Sequence, residues 1–165
     1  TDATGLTKGA LYGNFENKES LALAAFEYNS KQLLNAIDEQ LDTPGDSLEK
    51  IFSLTDFYRH YDEFTLPMGG CPVLNVGVDA NFNNSLLAAA AKETAKNIEG
   101  KIAVILEKGV HNRELKLPVT PLQFAKQMFT MIQGAIAMAT ISGDRKYLIN
   151  TIAYLELLIK KELKK

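Results

Sequence analysis

The chain has 165 residues, 46% hydrophobic and 23% charged, with a net charge of −2. That composition excludes a disordered chain and suits one soluble domain, or one with a small appended module, burying roughly two thirds of its unfolded surface. The charge is not that of a whole-surface nucleic-acid binder, so any DNA-binding surface must be local. Cys71, the single cysteine, excludes an intrachain disulfide framework and a paired-cysteine metal knuckle, and fits a reducing compartment. No apolar run approaches the ~18 residues of a membrane span. No basic-then-apolar leader is seen, so a cytoplasmic location is expected.

In chain order, Gly5 permits a tight turn and Thr7 caps a short helix that ends near Tyr12 or Asn14. Leu6, Ala10, Leu11 and Phe15 give it a narrow apolar face, while Lys8, Gly9, Tyr12 and Asn14 lie elsewhere around it. Such a helix can offer donors to phosphates and base edges in a major groove. Asn17 caps a long helix through Leu21, Ala25, Tyr28, Leu33, Ile37 and Leu41. The N–H groups at its start, with Lys18 beside them, suit a DNA phosphate.

Thr43-Pro44-Gly45 breaks the chain, and Asp46 with Glu49 opens the next helix as a capping box. Tyr58, His60, Tyr61, Asp62, Glu63 and Phe64 follow. Their spacing does not converge on a metal, so a solvated polar stretch is expected there rather than a ligand set. Further breaks fall at Pro67 to Pro72 and at Asn81 to Asn84. Ser85 caps a helix through Ile98, Ile102 and Leu106, with Gly109 as its stop. Thr120-Pro121-Leu122-Gln123 is the best helix start in the chain: Thr120 caps, Pro121 needs no N–H, and Gln123 closes the box. Asp144 starts the last helix, whose lysines Lys160, Lys161, Lys164 and Lys165 suit the negative end of the dipole. No stretch alternates with period two, so the fold class is all-α.

The last two helices are apolar almost all round, from Leu122 to Ile141 and from Tyr147 to Leu163. A helix apolar on every side is buried on every side. Two copies meeting across a two-fold axis satisfy that, with Gln133, Ile136, Ile149, Ile152, Leu155 and Ile159 at the interface. The alternative is a central hairpin wrapped by the other helices of one chain. The middle of the chain is rich in aromatic residues and Met, more than one regular stripe can pack. Phe57, Tyr58, Tyr61, Phe64, Cys71, Asn75, Met128 and Phe129 are candidates to line an apolar ligand pocket. The competing reading makes most of them core and Cys71 a buried structural thiol. No acid–base pair or nucleophile arrangement suggests an enzyme, and neither a cofactor nor a metal is expected.

Residues 5 to 21 resemble the DNA-reading signature of TetR/AcrR-type regulators, Gly-x-(Thr/Ser)-x-Gly-x-Leu-Tyr-x-His-Phe-x-x-Lys-Glu-x-Leu. The matches are Gly5, Thr7, Gly9, Leu11, Tyr12, Phe15, Lys18, Glu19 and Leu21, and Asn14 stands where His is usual. More weakly, Gly70-Cys71-Pro72-Val73-Leu74-Asn75 resembles a segment of the family's ligand domain. Gln133-Gly134-Ala135 and Ser142-Gly143-Asp144 resemble its dimer-forming helices. The resemblance implies a TetR-like fold. It implies that residues 1–26 are the remainder of a helix–turn–helix head whose first helix and most of its second would precede Gly5. Residues 27–165 are a ligand-binding and dimerisation bundle. It also implies a homodimeric transcriptional repressor that binds palindromic operator DNA through Thr7, Lys8, Gly9, Tyr12, Asn14 and Lys18, and that a small apolar effector releases. The alternative is a small-molecule-binding helical bundle with no DNA function.

Overall fold

The computed structural model describes residues 17–163, and among them the chain is helical throughout apart from its connections. Seven α-helices follow one another: α1 (Lys18–Leu41), α2 (Ser47–Arg59), α3 (Tyr61–Thr65), α4 (Pro72–Asn83), α5 (Ser85–His111), α6 (Pro121–Ser142) and α7 (Lys146–Glu162). A single 3₁₀ turn, Leu66–Met68, joins α3 to α4. The expected all-α fold is what the chain adopts.

Local chemistry sets most of the helix starts. Asn17 accepts from Ser20 N–H at 2.8 Å, and the Ser20 hydroxyl receives the Asn17 N–H in return. Asp46 and Glu49 make the same reciprocal pair, each bond 2.8 Å. Thr120 and Gln123 do so at α6, with Pro121 in the first turn. Each pair satisfies two N–H groups that a helix end leaves orphaned. Three expected ends differ. The last helix begins at Lys146 rather than Asp144, whose side chain accepts the Lys146 N–H at 3.0 Å. Asn84, not Ser85, caps α5, because its extended backbone lets its side chain reach Leu87 N–H at 3.1 Å. Gly109 does not stop α5; the helix runs on to His111, and the reversal comes at Arg113 with φ 61°.

The core is one cluster. Leu33 and Ile37 of α1, Ile51 and Leu54 of α2, Ile98, Ile102 and Leu106 of α5, Ile132 of α6, and Ile152 and Ile159 of α7 are all fully buried. The bundle is built from the neighbouring pairs α1–α2, α1–α5, α2–α5, α2–α7, α5–α6 and α6–α7, with α4 laid along α5. One end of the bundle gathers Ser47, Gly109 and the 114–116 segment: Glu114 accepts from Ser47 N–H at 2.8 Å and Lys116 N–H donates to Leu163 O at 3.0 Å. The opposite end brings Asn17, Ser20 and Leu23 of α1 beside Asn84 and Leu86. An expected domain boundary after residue 26 falls inside α1, which continues unbroken for 24 residues, about 36 Å.

Candidate functional site

Two places carry the residues singled out in the sequence. The first is the start of α1. Lys18 stands in its first turn beside the Asn17 cap. The positive end of a helix dipole and an adjacent ammonium favour an anion there. Thr7, Lys8, Gly9, Tyr12 and Asn14 lie outside the described residues.

The second is a cavity of about 310 Å³ enclosed by α3, the turn before α4, the second half of α6 and the start of α7. Its apolar floor is Tyr61, Cys71, Ile136, Ala139 and Leu148. Thr65, Thr140, Asp62 and Arg145 add polar atoms at its wall and mouth. Arg145 is held there by Asp62 and Glu63, each at 3.3 Å. Gly69 and Gly70 line the remaining wall with bare backbone, at φ 75° and 110°. A Cβ on Gly70 would stand 2.5 Å from Asn75 Nδ2. That same amide donates to Gly69 O at 3.2 Å and holds the turn shut.

Of the eight residues expected to line a pocket, Tyr61 and Cys71 do line this cavity. Their polar atoms meet: the Tyr61 hydroxyl donates to Cys71 Sγ at 3.1 Å, and Cys71 Sγ reaches Gln133 Oε1 at 3.7 Å. Burial drives the phenols of Tyr58 and Tyr61 well above the usual tyrosine range, with Cys71 adding to both. Both stay protonated at physiological pH; Tyr61 donates to Cys71, while the buried Tyr58 hydroxyl has no hydrogen-bond partner among the described residues. The remaining six are placed otherwise. Phe57, Tyr58 and Phe64 pack with Tyr61 as an aromatic knot, ring centroids 5.0 to 6.1 Å apart. Met128 and Phe129 are buried in the common core. Asn75 is exposed, tied to the Gly69 carbonyl, and borders a separate groove between α4 and α6. Sequence reasoning missed Ile136, Ala139, Leu148, Thr140 and Arg145. A signal that could have located the site is the Gly69-Gly70 pair ahead of Cys71, a backbone that can approach a space closely.

The expected interface residues also shift. Ile136, Ile152, Leu155 and Ile159 are buried inside their own chain, at 6% exposure or less, and Gln133 points at Cys71. They have no surface left to offer a partner; Ile149 is half-buried. The outward face of the α6–α7 hairpin instead carries Met138, Ile141, Tyr147, Tyr154 and Leu157, between 42% and 78% exposed. Asn150 lies on the same stripe of α7, since 147, 150, 154 and 157 share one side of a helix. His60 is exposed beside Glu63, at 3.7 Å. Among the described residues no three His, Cys, Asp or Glu side chains gather as metal ligands. None of the described helices is long and apolar enough to cross a membrane.

Comparison with known proteins gives this geometry a context. Residues 47–155 match the family described as Tetracyclin repressor-like, C-terminal domain. A TetR-family transcriptional regulator from Cytophaga hutchinsonii is similar over all of this chain and 82% of its own, at 31% identity and a TM-score of 0.88. A TetR transcriptional regulator from Chloroflexus aurantiacus J-10-FL is similar over 99% of this chain and 82% of its own, at 27% identity and a TM-score of 0.90. The uncharacterized HTH-type transcriptional regulator YxaF of Bacillus subtilis (strain 168) is 24% identical over 96% of this chain and 81% of its own. With the signature of residues 5 to 21, the seven-helix order and the family match over α2 to α7, the chain belongs to the TetR family of transcriptional regulators.

Proposed function

We propose that this chain is a ligand-responsive, sequence-specific repressor that acts in the cytoplasm as a homodimer. It holds palindromic operator DNA through Thr7, Lys8, Gly9, Tyr12, Asn14 and Lys18. A small, mainly apolar effector enters the cavity over Tyr61 and Cys71 and releases the DNA. The observation that carries the reading is that cavity, an apolar floor with the protonated Tyr61 hydroxyl at its edge and a polar mouth, of a size that suits a small organic molecule. It is bounded by the turn before α4 and by both helices of the exposed hairpin. An occupant therefore bears directly on the element that sets how two copies sit. Two reading heads must match half-sites roughly 34–36 Å apart, so a shift of that element moves the dimer between DNA-competent and incompetent arrangements.

The test is a gel-shift titration of the chain against the DNA upstream of its own gene, at several salt concentrations, with a panel of apolar small molecules. Salt-dependent binding that Tyr12→Ala abolishes while the dimer persists is the expected result. A compound that raises the melting temperature should also release the DNA. Stabilisation by a compound with no DNA binding at any salt would instead leave a small-molecule-binding bundle, the second reading.

A further inference from the structure

The cavity over Tyr61 and Cys71 has its hydroxyl, thiol and glycine donors already in use. The Thr65 hydroxyl donates to Tyr61 O at 2.9 Å and the Thr140 hydroxyl to Ile136 O at 2.8 Å, each one turn back on its own helix. The Tyr61 hydroxyl donates to Cys71 Sγ, whose own proton faces Gln133 Oε1. The glycine backbone is committed as well: Gly69 N–H donates to Leu66 O, Gly70 N–H to Thr65 O and Gly143 N–H to Ala139 O. A hydroxyl whose proton is held still has lone pairs, so Tyr61, Thr65 and Thr140 present acceptors to the space they line. At the mouth a single guanidinium nitrogen, Arg145 Nη2, is shared by Asp62 and Glu63. Two carboxylates to one guanidinium leave that rim with negative charge in excess. The neighbouring Asp144 and Lys146 offset each other, and neither lines the cavity. We infer that the effector of this cavity carries a protonated amine, with its ammonium head at the mouth beside Asp62 and its apolar body on Tyr61, Ile136 and Leu148. The inference deepens the effector reading under Proposed function and rests on it.

A head group that only accepts has little to meet here. A carboxylate would need Arg145, and would approach it past two fixed carboxylates that repel it. An ammonium has three donors and no lone pair to leave unmatched, so it fits walls that accept. Hydrogen bonds from a charged donor are also roughly twice as strong as neutral ones. The mouth, not the floor, is where such a charge belongs. Asp62 and Arg145 are 41% and 46% exposed, so an ammonium beside them keeps part of its water. Tyr61 and Leu148 below are buried, and a charge set among them would be desolvated with no opposite charge to meet; they suit an apolar body.

The experiment is calorimetric titration of the full chain at pH 8 with three matched probes: 4-phenylbutylamine, 4-phenylbutanol and 4-phenylbutanoate. The proteins are the wild type, a double variant with Asp62→Asn and Glu63→Gln, and the cavity-filling Ala139→Phe, with melting temperatures measured alongside. Asp62 and Glu63 are well exposed, so the double variant is expected to fold as the wild type does. The wild type is expected to bind the amine about tenfold or more tighter than the other two, as a hydrogen bond to a charged group allows, with the margin narrowing as salt rises. In the double variant the amine should lose about tenfold, the alcohol should be unchanged, and the carboxylate, with Arg145 released, should bind tightest of the three. Ala139→Phe should weaken all of them, which locates the binding in the cavity. Wild-type protein that binds the alcohol or the carboxylate as tightly as the amine, with binding lost in Ala139→Phe, would overturn this inference and leave the effector reading standing. An amine preference that survives in the double variant, or binding that ignores Ala139→Phe, would also overturn it. Failure of every probe to bind at millimolar concentration would remove the amine assignment, and the effector reading would then stand or fall on release of operator DNA by other compounds.

Discussion

At the residue scale, Glu114 shows how one carboxylate can close a helix it does not belong to. It sits 67 residues from Ser47 in sequence, yet its Oε2 accepts the Ser47 N–H at 2.8 Å, the first N–H of α2. That bond, above all, holds the Glu114 carboxyl below its ordinary value of 4.5, and the Asn112 amide adds to it. The folded state therefore prefers the ionised form more than the unfolded chain does. Its contribution is present above the unfolded carboxyl's range and is lost as pH falls through the depressed folded value. Glu114→Gln keeps the shape and removes the charge. The wild type is expected to melt higher than this variant near neutral pH, with the gap closing as the solution is acidified through and below 4.5. Melting curves across that range check it. A gap that ignores pH would mean that the amide caps Ser47 as well as the carboxylate does.

At the element scale, Gly109 is the position where local reading and packing part. The sequence marks it as a helix stop, yet α5 runs through it to His111. Glycine is required there because a Cβ would lie 2.6 Å from Leu115 Cδ1 and 2.8 Å from Ser47 Cβ. Alanine is the better helix former by about 1 kcal/mol. Overpacking against a fully buried leucine and a helix start works the other way and is the larger effect. Gly109→Ala is expected to lose about 1–3 kcal/mol in urea unfolding. An unchanged or higher midpoint would mean that the 113–115 turn moves aside freely. What was legible in the sequence follows the same division. Caps at Asn17, Asp46 and Thr120 were legible because donor and acceptor lie three residues apart. Five of the seven helices were legible because apolar spacing is also local; α3 and α4 were not, and the stretch expected to be solvated at Tyr58 to Phe64 instead buries Tyr58 and Tyr61. The cavity was legible only at Tyr61 and Cys71, since its other walls come from α6 and α7, some 65 to 87 residues further on. The aromatic excess misled for a physical reason: Phe57, Tyr58 and Phe64 satisfy one another edge to face and leave no space to line. The hairpin misled too, because its most apolar positions, Ile152 and Ile159, fill their own chain's core.

At the scale of the whole molecule, the question is how a cavity at one place reaches a surface at another. Coupling needs packed elements that move together, and α2 and α7 are joined by more than packing. Glu156 of α7 accepts from the Thr55 hydroxyl at 2.8 Å and from Arg59 at 2.6 Å, and Arg59 also holds Asp56. The Arg59–Glu156 pair is mostly covered, with side chains 27% and 18% exposed, and Thr55 is fully buried. Removing one member leaves a partly desolvated guanidinium without its inter-helix partner, a loss of about 1–3 kcal/mol once residual solvent screening is allowed for. Arg59 is the last residue of α2, two positions before Tyr61 at the cavity, and Glu156 stands on α7 between Tyr154 and Leu157 of the exposed stripe. The bridge thus links the cavity wall to the exposed face of the hairpin. Glu156→Ala is expected to lower stability by that amount and to leave both the cavity and the stripe with their own side chains. If effector and operator communicate through α7, the factor by which one alters the other's affinity should fall toward one in this variant, while each still binds alone. Paired titrations, operator with and without effector, measure that factor. Full coupling in a destabilised Glu156→Ala protein would place the communication elsewhere, along α4 and the turn at Cys71.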